Sequence, residues 1–163
     1  MLSRMLAVCT IACAAIVGTA GASAAEAPKA DVLGTQATAV VIVSVGSRDR
    51  CLDLTSYNSG TRATLYGCHS GPSQIWVLEN NGTISSYGSG RRMCLDVTTY
   101  NDNAPVHLYG CHGGPSQRWI LSSNYTVRNE GGNKCLDLQS YNDYSPAVIY
   151  PCHGGPSQQW ASR

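Results

Sequence analysis

Hydrophobic and polar positions change over in short runs along most of this chain, and no apolar residue recurs at helical spacing over two or more turns. Residues 39–45 form a β-branched run. Thr64-Leu65-Tyr66, His107-Leu108-Tyr109 and Val148-Ile149-Tyr150 are short apolar or aromatic stretches of the kind that form strands. Asn81-Gly82 lies between Trp76-Val77-Leu78 and Thr83-Ile84 and signals a hairpin, because Asn-Gly accepts the positive φ angles of a tight turn. The pattern predicts an all-β domain.

The N-terminus breaks this pattern. Arg4 precedes an apolar run over residues 5–17 that gives way to small residues, and Ala22-Ser23-Ala24 fits a signal-peptidase site, so residues 1–24 read as a secretory signal peptide. Gly18 and Thr19 interrupt the run, which falls short of the roughly 20 residues of a spanning helix, so no membrane insertion is expected once the signal is removed. A lipid anchor on Cys13 is the alternative, although a Thr stands where such sites want Leu. Residues 25–38 carry Ala, Pro, Lys and Gly without periodicity and read as a disordered linker. One domain over residues 39–163 remains, long enough to bury a core.

Within that domain one unit is written three times. Cys51-Leu52-Asp53-Leu54, followed by Tyr57-Asn58, returns as Cys94-Leu95-Asp96-Val97 with Tyr100-Asn101, and again as Cys135-Leu136-Asp137-Leu138 with Tyr141-Asn142. Each copy closes on a second block, Leu65-Tyr66-Gly67-Cys68-His69 through Trp76 in the first case, whose counterparts end at Trp119 and Trp160. Cysteines and tryptophans both step by 43 and then by 41 residues, which sets repeats of about 39–80, 81–123 and 124–163 with about four strands each.

Cysteine usage and charge narrow the function. Cys9 and Cys13 leave with the signal, and the six that remain in an oxidising compartment predict disulfides. Of the pairings that six cysteines admit, the repeat favours those within a copy: Cys51 with Cys68, Cys94 with Cys111, and Cys135 with Cys152. Zinc is the competing use of each Cys-His pair, but adjacent residues rarely point at one metal, and no metal or cofactor is expected. A formal net charge of +1 and 13% charged residues, against a usual value of about 25%, exclude a polyanion-steering surface and with it nucleic acid.

The candidate chemistry recurs with the repeat. Trp76, Trp119 and Trp160 are natural core fillers in a chain without Phe. Gln74, Gln117 and Gln158 could satisfy buried backbone groups or orient a neighbour. Asp53, Asp96 and Asp137 sit between apolar residues on presumed strands, either tying down a loop or serving as paired acceptors for two neighbouring sugar hydroxyls. Tyr66, Tyr109 and Tyr150 are core residues or flat platforms for the C–H face of a pyranose. His69, His112 and His153 are surface residues or donors to a further hydroxyl. Asn81-Gly82-Thr83 and Asn124-Tyr125-Thr126 have the form of glycosylation sequons.

The threefold Cys-Leu-Asp-(Leu/Val), Leu/Ile-Tyr-x-Cys-His and Gly-Pro-Ser-Gln-x-Trp set resembles the ricin-type lectin family with its Gln-x-Trp repeats. The Tyr-Asn pairs and the Gly-Gly before Gln-x-Trp are also similar to actinomycete mannose-binding lectins of that fold. This resemblance implies a β-trefoil, a six-stranded barrel capped by three hairpins, with one shallow sugar site per repeat. It assigns Asp53, Asp96 and Asp137 to sugar hydroxyls, and Tyr66, Tyr109 and Tyr150 to stacking. It assigns His69, His112 and His153 to an additional hydroxyl, and Gln74, Gln117 and Gln158 to orienting the Asp.

Two departures from the family pattern stand out. Ser73, Ser116 and Ser157 replace an Asn common before the Gln, and Thr64, His107 and Val148 occupy a position that often supplies a polar contact. The Val148 side chain has no hydrogen-bonding atom, so the third site is expected to be the weakest. Galactose, arabinose- or xylose-containing polymers and mannose are the sugars relatives take, and a secreted monomer that binds glycans is the expected whole. The repeat supplies one acid per unit and no Gly-x-Ser-x-Gly elbow or phosphate loop, which argues against an enzyme. A trefoil protease inhibitor and a purely structural trefoil are the alternatives.

Overall fold

The computed structural model describes residues 37–163, so the signal peptide, its Cys9 and Cys13, and nearly all of the linker lie outside the described residues. The described residues carry twelve strands in three sets of four. The first set is β1 (Thr38–Ser44), β2 (Arg50–Leu54), β3 (Ala63–Gly67) and β4 (Ile75–Leu78); the second is β5 (Ile84–Ser86), β6 (Met93–Val97), β7 (Ala104–Gly110) and β8 (Trp119–Leu121). The third is β9 (Val127–Asn129), β10 (Lys134–Leu138), β11 (Ala147–Tyr150) and β12 (Trp160–Ser162). Helix is limited to a single 3₁₀ turn in each set, built on the Pro-Ser-Gln of Pro72–Gln74, Pro115–Gln117 and Pro156–Gln158. Strand β1 starts at Thr38, the last residue of the stretch read as linker.

The first and last strands of each set form a six-stranded barrel. Strand β1 pairs antiparallel with β4, β4 with β5 and β8 with β9, and bridges at Thr83–Arg118 and Thr126–Gln159 carry the barrel between its other neighbours. Pairing of β12 with β1 closes the ring: the Val41 N–H donates to the Arg163 carbonyl at 2.8 Å, and the Arg163 N–H donates back to Val41 at 3.1 Å. The middle strands form three hairpins, β2–β3, β6–β7 and β10–β11, each in matching register. This architecture is a β-trefoil.

Local chemistry explains the turns. The Asn81-Gly82 signal falls in the β4–β5 connection, where Gly82 takes φ 83° and Asn81 Oδ1 accepts both the N–H and the hydroxyl of Thr83. Asn124 and Thr126 repeat this between β8 and β9, with Tyr125 at φ 68° in place of the glycine. The sequon-like triplets thus fold as turns closed by their own side chains, a role suited to Asn.

Alternation along β2, β6 and β10 sends Leu52, Leu95 and Leu136 into a core shared with Leu65, Leu108, Ile149 and the three tryptophans. Burying an indole N–H without a partner would cost free energy. Trp76, Trp119 and Trp160 avoid this by donating to the carbonyls of Leu52, Leu95 and Leu136 at 3.0, 3.1 and 3.0 Å. Disulfides join Cys51 to Cys68, Cys94 to Cys111 and Cys135 to Cys152, as the repeat predicts. Each closes a 17-residue separation, contributing roughly 3 kcal/mol in the chain-entropy view. With the sulfurs so engaged, the adjacent histidines have no thiolate with which to share a metal.

The repeats also grip one another through rings laid on glycine. Tyr57 covers Gly88 of the second repeat, Tyr100 covers Gly131 of the third, and Tyr141 covers Gly46 of the first; a methyl group on any of these glycines would run into the ring. The Gly88→Ala variant is therefore expected to lose about 1–3 kcal/mol of stability by overpacking. In urea unfolding, Tyr57→Ala should make the same Gly88→Ala change nearly neutral, a coupling that a backbone effect alone would not give.

Candidate functional site

Each hairpin meets its own 3₁₀ turn around a buried glutamine. Gln74 Nε2 donates to Asp53 Oδ2 at 3.0 Å and to the Gly67 carbonyl at 2.9 Å, while its Oε1 accepts the N–H groups of His69 and Ser70 at 2.8 and 3.2 Å. Gln117 repeats the pattern with Asp96, Gly110, His112 and Gly113, and Gln158 with Asp137, Pro151, His153 and Gly154. Both donors and both acceptor positions of every amide are filled, which is why a polar side chain at 0% exposure is stable here. Gln74, Gln117 and Gln158 therefore do both jobs considered for them: they satisfy backbone groups and they orient the aspartate.

The aspartates are placed differently from the expectation. Asp53, Asp96 and Asp137 are only 7, 5 and 6% exposed. In each, Oδ1 accepts the N–H of the next residue (Leu54, Val97 or Leu138) at 2.6–2.7 Å, and Oδ2 accepts from both the glutamine and the histidine. A carboxylate has about four lone-pair positions, and three are used. The paired acceptor for two sugar hydroxyls is thus corrected to a recessed carboxylate with one acceptor position left, on Oδ1.

Histidine is corrected too. Nδ1 of His69, His112 and His153 accepts the N–H of Gly71, Gly114 and Gly155 at 3.0 Å, which puts the proton of the neutral ring on Nε2. That nitrogen lies 3.1–3.2 Å from the aspartate Oδ2 and donates to it. Both nitrogens are committed inside the protein, so the ring holds the carboxylate instead of reaching for a further hydroxyl. The close approach of Gly71, Gly114 and Gly155 to the imidazole leaves no room for a Cβ.

The tyrosines are the outward-facing rings of the site. Tyr109 and Tyr150 are 51 and 38% exposed, and Tyr66 is half-buried. Each ring stands edge-on to its histidine, with centroids 6.1, 6.2 and 6.3 Å apart and planes at 65–72°. A phenol wall, an imidazole wall and a recessed carboxylate thus recur in one geometry three times. At the third copy the cleft of about 230 Å³ is lined by Asp137, Val148, Tyr150, His153 and Ser157, and also by Asn103 of the second repeat.

An all-β trefoil with a shallow polar and aromatic site in each lobe defines a class of carbohydrate-binding domains. Residues 38–160 match the model of the ricin-type beta-trefoil lectin domain, and the chain belongs to that family. Its members bind carbohydrate through a domain that is generally non-catalytic.

Solved structures similar to this chain include a designed three-fold symmetric protein, ThreeFoil, at 27% identity and TM-score 0.68, over 76% of this chain and 96% of that one. The agglutinin of Abrus precatorius is similar at 23% identity and TM-score 0.70, over 77% of this chain and 48% of that one. The C-half of an earthworm R-type lectin, solved with GalNAc, is similar at 19% identity and TM-score 0.66, over 77% and 97%. The comparison with curated proteins gives no match.

The glutamine network makes a direct prediction. Gln117→Ala strips partners from the Asp96 carboxylate, the Gly110 carbonyl and the N–H groups of His112 and Gly113. At about 1–3 kcal/mol for each group left buried and unpaired, a loss of roughly 3 kcal/mol or more is expected in chemical denaturation. A change below about 1 kcal/mol would show that water takes over the site at no cost.

Proposed function

We propose that this protein is a secreted, non-catalytic lectin that holds galactose-, arabinose-, xylose- or mannose-containing glycans at three shallow sites on one rigid body. The observation that carries this reading is the threefold recurrence of an outward tyrosine beside a carboxylate with one acceptor position free. The ring offers an apolar face to a pyranose, and the carboxylate offers a charged acceptor to one hydroxyl. A site with so few polar contacts would bind a single sugar at about millimolar Kd, near −4 kcal/mol. Three such sites on a polymeric or branched glycan can raise avidity by about 10² to 10⁴ where the spacing fits.

Several features support the finer parts of the proposal. Glycoside hydrolysis needs two carboxylates across one bond, whereas the repeat brings one to each site. The signal-like residues 1–24 and the three disulfides favour an oxidising, extracellular setting, the usual one for disulfide-bonded ricin-type lectins. Val148, which stands where the first site has Thr64, supports the third site as the weakest.

A glycan array with the mature chain tests this, with GalNAc, the ligand in the earthworm lectin structure, on the same panel. The Tyr66→Ala/Tyr109→Ala/Tyr150→Ala variant should keep its unfolding midpoint within a few degrees and lose binding to every array feature. Among the single variants, Tyr150→Ala should lose the least retention on a polysaccharide column. An empty array for the unmodified chain, or full binding by the triple variant, overturns the assignment.

A further inference from the structure

The three sites share their floor and walls but differ in what the neighbouring repeat brings to them. The loop inside each hairpin reaches the second strand of the next. The N–H of Gly60 donates to the Leu108 carbonyl at 2.7 Å, that of Asn103 to Ile149 at 2.9 Å, and that of Tyr144 to Leu65 at 2.7 Å. All three residues have left-handed backbone, with φ of 85°, 62° and 62°. One backbone position is therefore delivered to the residue just before Tyr109, Tyr150 and Tyr66, and the sequence fills it with Gly, Asn and Tyr in turn.

What stands there decides how far each site extends. Gly60 adds no side chain to the second site. Asn103 lines the third, but its Oδ1 already accepts from Gln139 at 3.1 Å. Tyr144 places a second phenol beside Tyr66, with ring centroids 5.0 Å apart and planes tilted by 40°. The left-handed region is the natural place for Gly or Asn and is disfavoured for a residue as bulky as Tyr. The strained tyrosine is nonetheless 60% exposed, so burial in the core does not account for it.

We propose that the first site is shared between two repeats, and that Tyr144 of the third repeat widens the Tyr66 platform so that this site alone prefers an oligosaccharide to a single sugar. The two rings lie too close to admit a sugar between them. At that separation and tilt the rings pack partly face to face, and the exposed Tyr144 continues the apolar wall of Tyr66 outward, where a second pyranose of the same glycan would rest. A hydrogen bond to Tyr66 pushes the Tyr144 hydroxyl above the ordinary tyrosine range, with smaller contributions from the charges of Asp143 and Asp53. This inference rests on the reading of Asp53 and Tyr66 as a sugar site.

The experiment isolates the first site in a Tyr109→Ala/Tyr150→Ala background, which removes only outward rings. Calorimetry would then compare galactose with β-1,4-galactotriose, xylose with xylotriose, and mannose with α-1,2-mannotriose. In the series that is bound, the trisaccharide should bind roughly five- to tenfold more tightly than its monosaccharide. Tyr144→Asn, which copies Asn103 in the same backbone conformation, should bring that ratio close to one, as should Tyr144→Gly. Tyr144→Phe, which keeps the ring, should preserve it. A ratio that survives both Tyr144→Asn and Tyr144→Gly overturns the shared site while leaving the lectin reading intact. Failure of the unmodified protein to bind any of the six sugars, together with an empty glycan array, overturns both.

Discussion

The sites depend on one buried amide. A glutamine at the end of each 3₁₀ turn uses all of its hydrogen-bonding capacity at once, holding a strand-end carbonyl, two backbone N–H groups and a carboxylate. The turn follows its hairpin by only a few residues, but the glutamine reaches an aspartate 21 residues back on the first hairpin strand, so this contact pins the two together, and the disulfide beside it limits how far they could separate. The site is therefore a by-product of how each lobe is closed. The groups that secure the fold also set the aspartate and, through it, the imidazole.

That economy has a chemical consequence. Most of the carboxylate's capacity is used internally, so little of it is left for several hydroxyls. What it retains is directional. In the proposed lectin reading, one acceptor position beside a flat ring would select for a hydroxyl at a fixed height above an apolar sugar face, and such a site would bind weakly. Strength on a natural polymer has to come from repetition, which the trefoil supplies through lobes locked together by Tyr57, Tyr100 and Tyr141 on glycines of the next repeat.

Much of this was legible in the sequence because it is local and repeated. The Cys and Trp periods announce three copies, the short apolar runs announce strands, and the disulfide pairing follows from the repeat. The recessed carboxylates and committed histidines were not legible. They depend on the approach of the 3₁₀ turn to the hairpin, and nothing in Cys-Leu-Asp or Cys-His states which ring nitrogen carries the proton. The rings on Gly88, Gly131 and Gly46 could have been suspected from the recurring tyrosine and the similar spacing of the glycines. Tyr144 was harder to see, since comparing copies emphasises what they share, and Gly60, Asn103 and Tyr144 mark a place where they differ. The available clue was conformational: Gly and Asn at two equivalent positions point to left-handed backbone at the third.

The barrel is closed by hydrogen bonds between Val41 and Arg163, which lie at opposite ends of the domain's sequence. The lobes therefore sit on a loop without a privileged seam. A chain rejoined there by a short linker and opened instead at the Gly82 turn would retain the same strand pairings in a different order. The order of the lobes along the polypeptide is in that sense a matter of gene layout, while their cyclic sequence is what places Tyr144 over Tyr66.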